Sequence, residues 1–140
     1  MNRSFQYILV LFSLIFESLI CQCEEGFTYN NTLPNNINIL LGDSCFYNED
    51  LEGLADLISI NNLEYDNAFG IGTQSWFNGR LKILVAGNYG NSSGVNDTIF
   101  SLPESIGNWT GLSGLYLEWN RISSCLLYTS PSPRDEKVAR

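Results

Sequence analysis

Apolar residues recur every three or four positions in one segment of the chain, and this spacing predicts its main helix. The residues concerned are Leu51, Leu54, Leu57 and Ile58. Such a pattern places them on one face of an α-helix, which we predict over about residues 48–60. Asn48 is the expected N-cap, and the helix is expected to end near the pair Asn61-Asn62.

The polar positions of the same segment carry a run of carboxylates. They are Glu49, Asp50, Glu52 and Asp56. The first of them stand where the positive end of the helix dipole favours acidic groups. We predict that these side chains point to solvent, where a run of charge is ordinary. On that prediction they form no catalytic pair.

Shorter apolar alternations predict strands on either side of the helix. Ile37, Ile39 and Leu40 form a strand-like patch, and Leu81, Ile83 and Leu84 begin a second strand. The pair Asn78-Gly79 precedes this second strand and is a strong two-residue turn signal, because both residue types tolerate positive φ. The glycine-rich stretch 87–97 is predicted to be a surface loop.

A longer pattern covers the end of the apolar region. Its positions are Leu102, Ile106, Leu112, Leu115, Leu117, Asn120 and Ile122. The spacing, L-P-x-x-I-G followed by L-x-x-L-x-L-x-x-N-x-I, resembles the plant-type leucine-rich repeat. The resemblance implies an α/β fold: a fragment of a leucine-rich-repeat solenoid, with an N-terminal cap made of a disulfide and a helix.

The repeat register implies a position for each side chain near the strand. Leu115 and Leu117 are expected to be buried while Tyr116 is exposed, on a strand that pairs in parallel with the strand near Leu84. The amide of Asn120 is expected to satisfy backbone groups at the buried turn, which an apolar side chain does not do.

The resemblance also covers the segments before this repeat. Residues 22–80 resemble the N-terminal cap region of secreted leucine-rich-repeat proteins, and residues 81–124 then hold one irregular and one clear repeat. The irregular repeat departs from the family pattern because Asn88 stands one residue early for the asparagine position. An insertion over residues 87–97 accounts for the surplus length before Leu112.

The N-terminal segment has the order of a secretory signal peptide. Residues 1–21 contain Arg3 near the start and then an apolar run from Tyr7 to Phe16. This run is about half of the ~20 residues that span a bilayer, so an uncleaved membrane anchor is the weaker alternative. We predict cleavage before Gln22 and secretion of the chain.

The C-terminal segment is unlike any globular core. Residues 125–135, CLLYTSPSPRD, match in register the translation of a transposase adaptor used in preparing sequencing libraries. We therefore expect residues 125–140 to be a non-native tail and the chain to be a fragment of a longer protein. A natural Pro/Ser-rich linker is the alternative.

Charge and composition exclude several classes of function. The chain has 7 Lys and Arg residues against 15 Asp and Glu residues, a formal net charge of −8 and a pI near 4.3. We expect no nucleic-acid partner, because phosphate contacts need a basic surface. The absence of histidine removes Ser-His-Asp and Cys-His catalysis and His-containing zinc sites. Neither a metal nor a cofactor is expected.

Two cysteines remain once the predicted signal peptide and tail are set aside. Cys21 belongs to the first and Cys125 to the second, which leaves Cys23 and Cys45. In an oxidising compartment these two are expected to form a disulfide. Metal binding is the alternative, but two cysteines without a histidine make a poor zinc site.

Four Asn-x-Ser/Thr acceptors support the same compartment. Their asparagines are Asn30, Asn91, Asn96 and Asn108. Each motif is weak alone, but together after a signal peptide they favour a secreted or cell-surface glycoprotein if the source is a eukaryote.

The resemblance implies a non-catalytic extracellular module that binds a protein or glycan ligand on the exposed side of its strands. On the clear repeat, the candidate ligand-binding residues are Ser113, Tyr116, Glu118 and Trp119. The alternative for Tyr116 and Trp119 is that they are ordinary packing or surface aromatics, which need no explanation. Two alternatives stay open: a secreted carboxylate-dependent enzyme such as a glycosidase, and a structural cell-wall or adhesion glycoprotein. The full-length parent is expected to be either a secreted protein or a receptor anchored in a membrane downstream of this fragment.

Overall fold

The computed structural model describes residues 23–91, 94–95 and 97–125. Within them lie eight short strands, one α-helix and two 3₁₀ turns. In chain order these are β1 (Phe27–Tyr29), β2 (Ile37–Leu41), β3 (Cys45–Tyr47), α1 (Asn48–Ile60), η1 (Ala68–Gly70), β4 (Thr73–Phe77), β5 (Arg80–Val85), β6 (Ser101–Leu102), η2 (Glu104–Asn108), β7 (Gly114–Tyr116) and β8 (Ser124–Cys125). The predicted signal peptide and residues 126–140 lie outside the described residues.

Four of the strands form the main sheet, in the order β2-β4-β5-β7. The central pair, β4 and β5, is an antiparallel hairpin, while β2 runs parallel to β4 and β7 runs parallel to β5. Leu115 lies opposite Leu84, which is the parallel pairing that the sequence predicts. Two smaller pairs complete the strands: β1 with β3 antiparallel, and β6 with β8 parallel.

The prediction of a leucine-rich-repeat solenoid fragment is wrong. The main sheet mixes parallel and antiparallel neighbours around a central hairpin, and the described residues contain no stack of successive coils. The physical reason is that the repeat signature occurs clearly once, so its apolar face has no second coil to pack against. The architecture is a small mixed-sheet fold with one helix and a disulfide.

The hairpin turn forms where the sequence predicts it. Asn78 and Gly79 have φ values of +48° and +71°, the conformation that a two-residue turn requires at both positions. Gly79 also has no room for a side chain, because a Cβ there would clash with the carbonyl oxygen of Cys45. A side chain at this position is therefore excluded by both backbone conformation and space.

Helix α1 lies where the spacing of leucines predicts it, but it begins differently. Tyr47 is the N-cap, so the prediction of Asn48 as N-cap is wrong. The Asn48 side chain instead accepts a 2.7 Å hydrogen bond from the hydroxyl of Thr28. The helix ends at Ile60, followed by Asn61 as C-cap, in agreement with the predicted end.

The buried face of α1 and the inner face of the sheet share one hydrophobic core. Phe46 is at its centre and packs edge-on against Phe69 and Trp76, with ring centroids 4.8 and 4.9 Å apart. Such aromatic pairs contribute about 0.5–1.5 kcal/mol each beyond the burial of their area. Other buried members are Leu54, Leu57, Leu63, Ile71, Leu81, Leu84, Ala86, Val95, Ile99 and Trp109.

The residues predicted as the repeat core take more peripheral positions. Those that are half-buried against the core are Leu102, Ile106, Leu112, Leu115 and Leu117. Ile122 is 37 % exposed. Their location at the rim follows from the absence of a further coil that would cover them. Cys125 ends the short strand β8, so the predicted irregular tail does not begin before residue 126.

A disulfide joins Cys23 to Cys45, as the sequence predicts. The two Cα atoms are 5.6 Å apart, within the range that an unstrained bridge requires. The bond attaches the first described residue to β3, directly before the start of α1. It thereby ties the small β1–β3 sheet to the core.

Asp50 is completely buried, which makes the prediction of a solvent-exposed side chain at this position wrong. Its carboxylate accepts two hydrogen bonds from the Arg80 guanidinium, at 2.8 and 3.1 Å, and a third from the backbone N–H of Leu81 at 2.9 Å. Its backbone carbonyl accepts a 3.1 Å hydrogen bond from the Trp109 indole. One residue therefore joins the helix, the hairpin and the segment after η2.

Gly53 explains how Trp109 approaches the helix so closely. A Cβ at Gly53 would lie 2.3 Å from the indole nitrogen of Trp109. Glycine in a helix interior costs about 1 kcal/mol relative to alanine. At this position the smaller residue makes room for the indole to reach the carbonyl of Asp50.

Removing the cation of the buried Arg80–Asp50 ion pair should destabilise the protein. We expect Arg80→Met to lower the free energy of unfolding by about 3 kcal/mol, because the Asp50 carboxylate would stay buried without a countercharge. Lys82→Met, on the same strand, is the matched control and should change this free energy by less than about 0.5 kcal/mol. Urea unfolding with the disulfide intact measures both, and equal losses in the two variants would contradict the prediction.

Candidate functional site

The main sheet has a buried inner face and an accessible outer face. Gln74, Trp76, Leu81 and Leu84 are fully buried on the inner side. Successive side chains of a strand point to opposite faces, and a bulge at Lys82 allows both Leu81 and Leu84 to face inward. The neighbours of the buried residues form the outer face. These are Thr73, Ser75, Ile83, Val85 and, on the edge strand β7, Tyr116. The outer face is therefore a partly apolar surface bordered by an exposed aromatic ring.

All four candidate ligand-binding residues are exposed at this edge. Ser113 precedes β7, Tyr116 ends it, and Glu118 and Trp119 follow it. Because no solenoid forms, these residues do not line a concave face. They lie at the β7 edge of a mixed sheet. The Tyr116 ring lies close to Gly114: a Cβ added to Gly114 would be 3.0 Å from the Cε2 atom of the ring.

Trp119 has the most unusual geometry of the four. Its side chain is 79 % exposed, and its backbone φ is +62°. For a residue other than glycine this left-handed conformation costs about 1–2 kcal/mol. A large apolar side chain held outward by a strained backbone is a feature that often marks a functional position.

Glu118 is held in place by Tyr89, a residue that no sequence pattern indicated. The hydroxyl of Tyr89 donates a short hydrogen bond to the Glu118 carboxylate. This bond lowers the pKa of Glu118 and raises the pKa of Tyr89, because it favours the charged acceptor and the protonated donor. Tyr89 lies in the loop predicted from its glycines and sequons, and no spacing pattern indicated a role for it.

Backbone hydrogen bonds fix this loop against the segment after β7. Ala86 N–H donates to the carbonyl of Tyr116 at 2.8 Å, and Asn88 N–H donates to the carbonyl of Glu118 at 2.9 Å. The chain after β5 thus continues beside residues 116–118. As a result Tyr89 and Glu118, which are 29 residues apart, stand side by side.

Asn120 organises the turn that follows. Its amide nitrogen donates to the carbonyls of Ala86 at 2.8 Å and Leu117 at 3.0 Å, and its amide oxygen accepts from Ile99 N–H at 2.9 Å. These bonds agree with the expectation that its amide satisfies backbone groups at the turn. They hold the backbone on both sides of Trp119.

Two hollows lie elsewhere on the surface. One of about 400 Å³ is bordered by the disulfide, Glu24, Phe27, Gly42, Asp43 and Asn78. The other, of about 410 Å³, is bordered by residues 32–34, 64–67 and 70. Among the described residues no group of three or more His, Cys, Asp or Glu side chains is arranged to hold a metal ion.

The carboxylates of α1 do not converge on either hollow. Glu49, Glu52 and Asp56 are exposed, as predicted, and Asp50 is buried against Arg80. A glycosidase needs two carboxyl groups facing each other across the substrate. The helix does not supply such a pair.

None of the described sequon asparagines lies in a strand of the main sheet. Asn30 follows β1, Asn91 is exposed in the loop after β5, and Asn108 ends η2. Asn96 lies outside the described residues. In the first sequon the Asn30 amide oxygen accepts a 2.9 Å hydrogen bond from Thr32 N–H. In the last, Trp109 is buried and the Thr110 hydroxyl accepts from Arg80.

Comparison with known proteins identifies no relative: no protein-family model, curated protein or solved structure matches the chain. In the part of the chain that the structure describes, no helix is long and apolar enough to cross a membrane. The candidate site is therefore defined by its own geometry.

The Tyr89–Glu118 contact predicts two linked titrations. We expect Tyr89→Phe to raise the pKa of Glu118 toward its ordinary value, and Glu118→Gln to lower the pKa of Tyr89, because each loses its hydrogen-bond partner. The contact should weaken as pH falls through the pKa of Glu118 and as it rises through that of Tyr89. Residue-specific NMR titration measures both, with Glu104→Gln as the control. Unchanged pKa values would show that the contact does not form in solution.

Proposed function

We propose that this chain is an extracellular, non-catalytic binding module, which recognises a protein or glycan ligand with the surface around β7. The observation that carries the proposal is Trp119, an indole 79 % exposed on a backbone with φ of +62°. Exposed tryptophan and tyrosine are the residue types that most often dominate binding energy at protein interfaces.

The surroundings of Trp119 support this assignment. Tyr116 offers a second exposed ring, and Glu118 offers a carboxylate whose position is fixed by Tyr89. The Asn120 hydrogen bonds hold the turn rigid, so little conformational entropy is lost when a ligand binds. Rings and oriented polar groups of this kind suit either a protein surface or a sugar.

The sequons and the disulfide support an extracellular location. Neither Asn30, Asn91 nor Asn108 lies on β4, β5 or β7. The disulfide between Cys23 and Cys45 is typical of secreted proteins.

Ligand screening with matched aromatic variants tests the binding surface. The secreted chain is applied to an array of glycans and to a library of secreted and ectodomain proteins. We expect Tyr116→Ala and Trp119→Ala each to weaken binding of the ligand found by at least tenfold, about 1.4 kcal/mol. Tyr29→Ala and Phe100→Ala are the controls, because Tyr29, Phe100 and Tyr116 are exposed to almost the same extent, 47–48 %. Equal losses in the control variants, or no ligand in either screen, would refute the assignment.

Glycan mapping tests the compartment separately. We expect Asn30 to carry an N-glycan when the chain is produced in a eukaryotic secretory cell, because its sequon lies in a surface turn with the Thr32 N–H bonded to its side-chain oxygen. Mass spectrometry of the released peptides measures occupancy. Asn30→Gln should remove one glycan and Asn48→Gln none, and a secreted chain with unmodified Asn30 would contradict the prediction.

A further inference from the structure

Strand β2 forms the opposite edge of the main sheet from β7. It pairs with β4 on one side, and no described strand pairs with its other side. Its sequence, INILL, contains no charge and no proline, the residues with which exposed edge strands usually prevent pairing with other chains. A β-bulge lies between Ile39 and Leu41, so the regular part of the edge is residues 37–39.

The side chains at the end of β2 form an exposed apolar cluster. Leu40 is 58 % and Leu41 54 % exposed, and Leu41 lies opposite Phe77, which is also exposed. Isolated surface leucines need no explanation, but several exposed apolar side chains beside a strand edge that no described strand covers are suited to an interaction surface.

An acidic hollow adjoins this cluster. It begins at Gly42, directly after Leu41, and includes Asn78, whose N–H donates a 2.8 Å hydrogen bond to the Leu41 carbonyl. Glu24 and Asp43 border it as exposed carboxylates, and the ring of Phe27 forms part of its wall. A lysine or arginine side chain finds both opposite charge and an aromatic ring in such a hollow.

The walls of this hollow are held in place by covalent and hydrogen bonds. The disulfide between Cys23 and Cys45 lines it. The Asp43 carboxylate accepts a 3.1 Å hydrogen bond from the Cys45 N–H, which leaves its second oxygen available. A site prepared in this way loses little entropy on binding.

From these observations we infer that the free edge of β2 binds an extended basic peptide segment by strand addition. Main-chain hydrogen bonds to β2 supply affinity, apolar side chains of the peptide cover Leu40 and Leu41, and a lysine or arginine enters the hollow beside Asp43. This site is separate from the proposed surface around β7 and does not depend on it.

Charge argues for a basic partner rather than a second copy of this chain. The chain carries a net charge of −8, and the basic residues of 22–124 are Arg80, Lys82 and Arg121. Arg80 is already paired with Asp50. Two copies joined along β2 would bring two acidic hollows onto one continuous sheet, whereas a basic segment is attracted to them.

Fluorescence anisotropy with designed peptides tests the site on the secreted chain. The probes are labelled peptides of alternating valine and threonine that end in two lysines, at either terminus, to allow for both strand directions. A peptide with glutamates in place of the lysines tests charge. A peptide with methylated backbone nitrogens tests strand addition, because it lacks the N–H donors.

We expect a lysine peptide to bind, and the glutamate and N-methyl peptides to bind at least tenfold more weakly. The double variant Glu24→Gln/Asp43→Asn should lose at least tenfold in affinity, and so should Leu41→Lys. The controls are Glu52→Gln/Asp56→Asn, which removes two charges from the exposed side of α1, and Ile60→Lys; both should bind as the parent chain does. Trp119→Ala should also leave this binding unchanged, which separates this site from the surface around β7.

Three results would overturn the inference. One is the absence of binding by either lysine peptide, and another is equal binding of the lysine and glutamate peptides. The third is a dimer in sedimentation analysis that Leu41→Lys dissociates while no lysine peptide binds, which would assign the edge to a second copy. If Leu41→Lys does not fold, the Glu24→Gln/Asp43→Asn variant decides alone, because both its positions are exposed.

Discussion

The carboxylate of Asp50 is the group on which the arrangement of this small protein depends. This carboxylate is completely buried. A buried ion is tolerated when an opposite charge balances it and its lone pairs accept hydrogen bonds. Arg80 balances the charge, and the N–H of Leu81 supplies a further bond. The Arg80 guanidinium also lies over the Tyr47 ring, with 4.2 Å between its Cζ and the ring centroid. This ion pair raises the pKa of Arg80, chiefly through its hydrogen bond to Asp50, so the guanidinium stays charged at any ordinary pH.

Where the backbone is irregular, side-chain amides form hydrogen bonds with backbone groups that have no strand or helix partner. Asn61 bonds to Leu57 and to residues 100 and 101, and Asn36 bonds to the carbonyls of Phe69 and Gly72. Short strands leave many backbone groups without a ladder partner, and buried groups of that kind need other partners. The asparagine-rich composition therefore has a structural use beyond its sequons. Gln74, fully buried, does the same and also accepts a hydrogen bond from the Trp76 indole.

The two edges of the main sheet differ in chemistry. Next to β7, aromatic rings and an oriented carboxylate are displayed on a turn held by Asn120. At β2, a backbone edge with which no described strand pairs lies beside exposed leucines and an acidic hollow. Both edges rest on the same β4–β5 hairpin, so the ion pair that anchors this hairpin to α1 supports both. The absence of a further coil leaves both edges accessible in the described part of the chain.

Local sequence determined the elements that depend on neighbours in the chain. The spacing of leucines located α1, Asn78-Gly79 located the hairpin, and the alternation around Leu115 located β7 with its parallel partner. The cysteine count identified the disulfide. What the sequence did not determine depends on groups distant in the chain: the solenoid expected from one repeat, the burial of Asp50, and the Tyr89–Glu118 contact. Helical periodicity places Asp50 on a polar face, but the burial of a charge is decided by whether a partner such as Arg80, thirty residues away, reaches it in the folded chain.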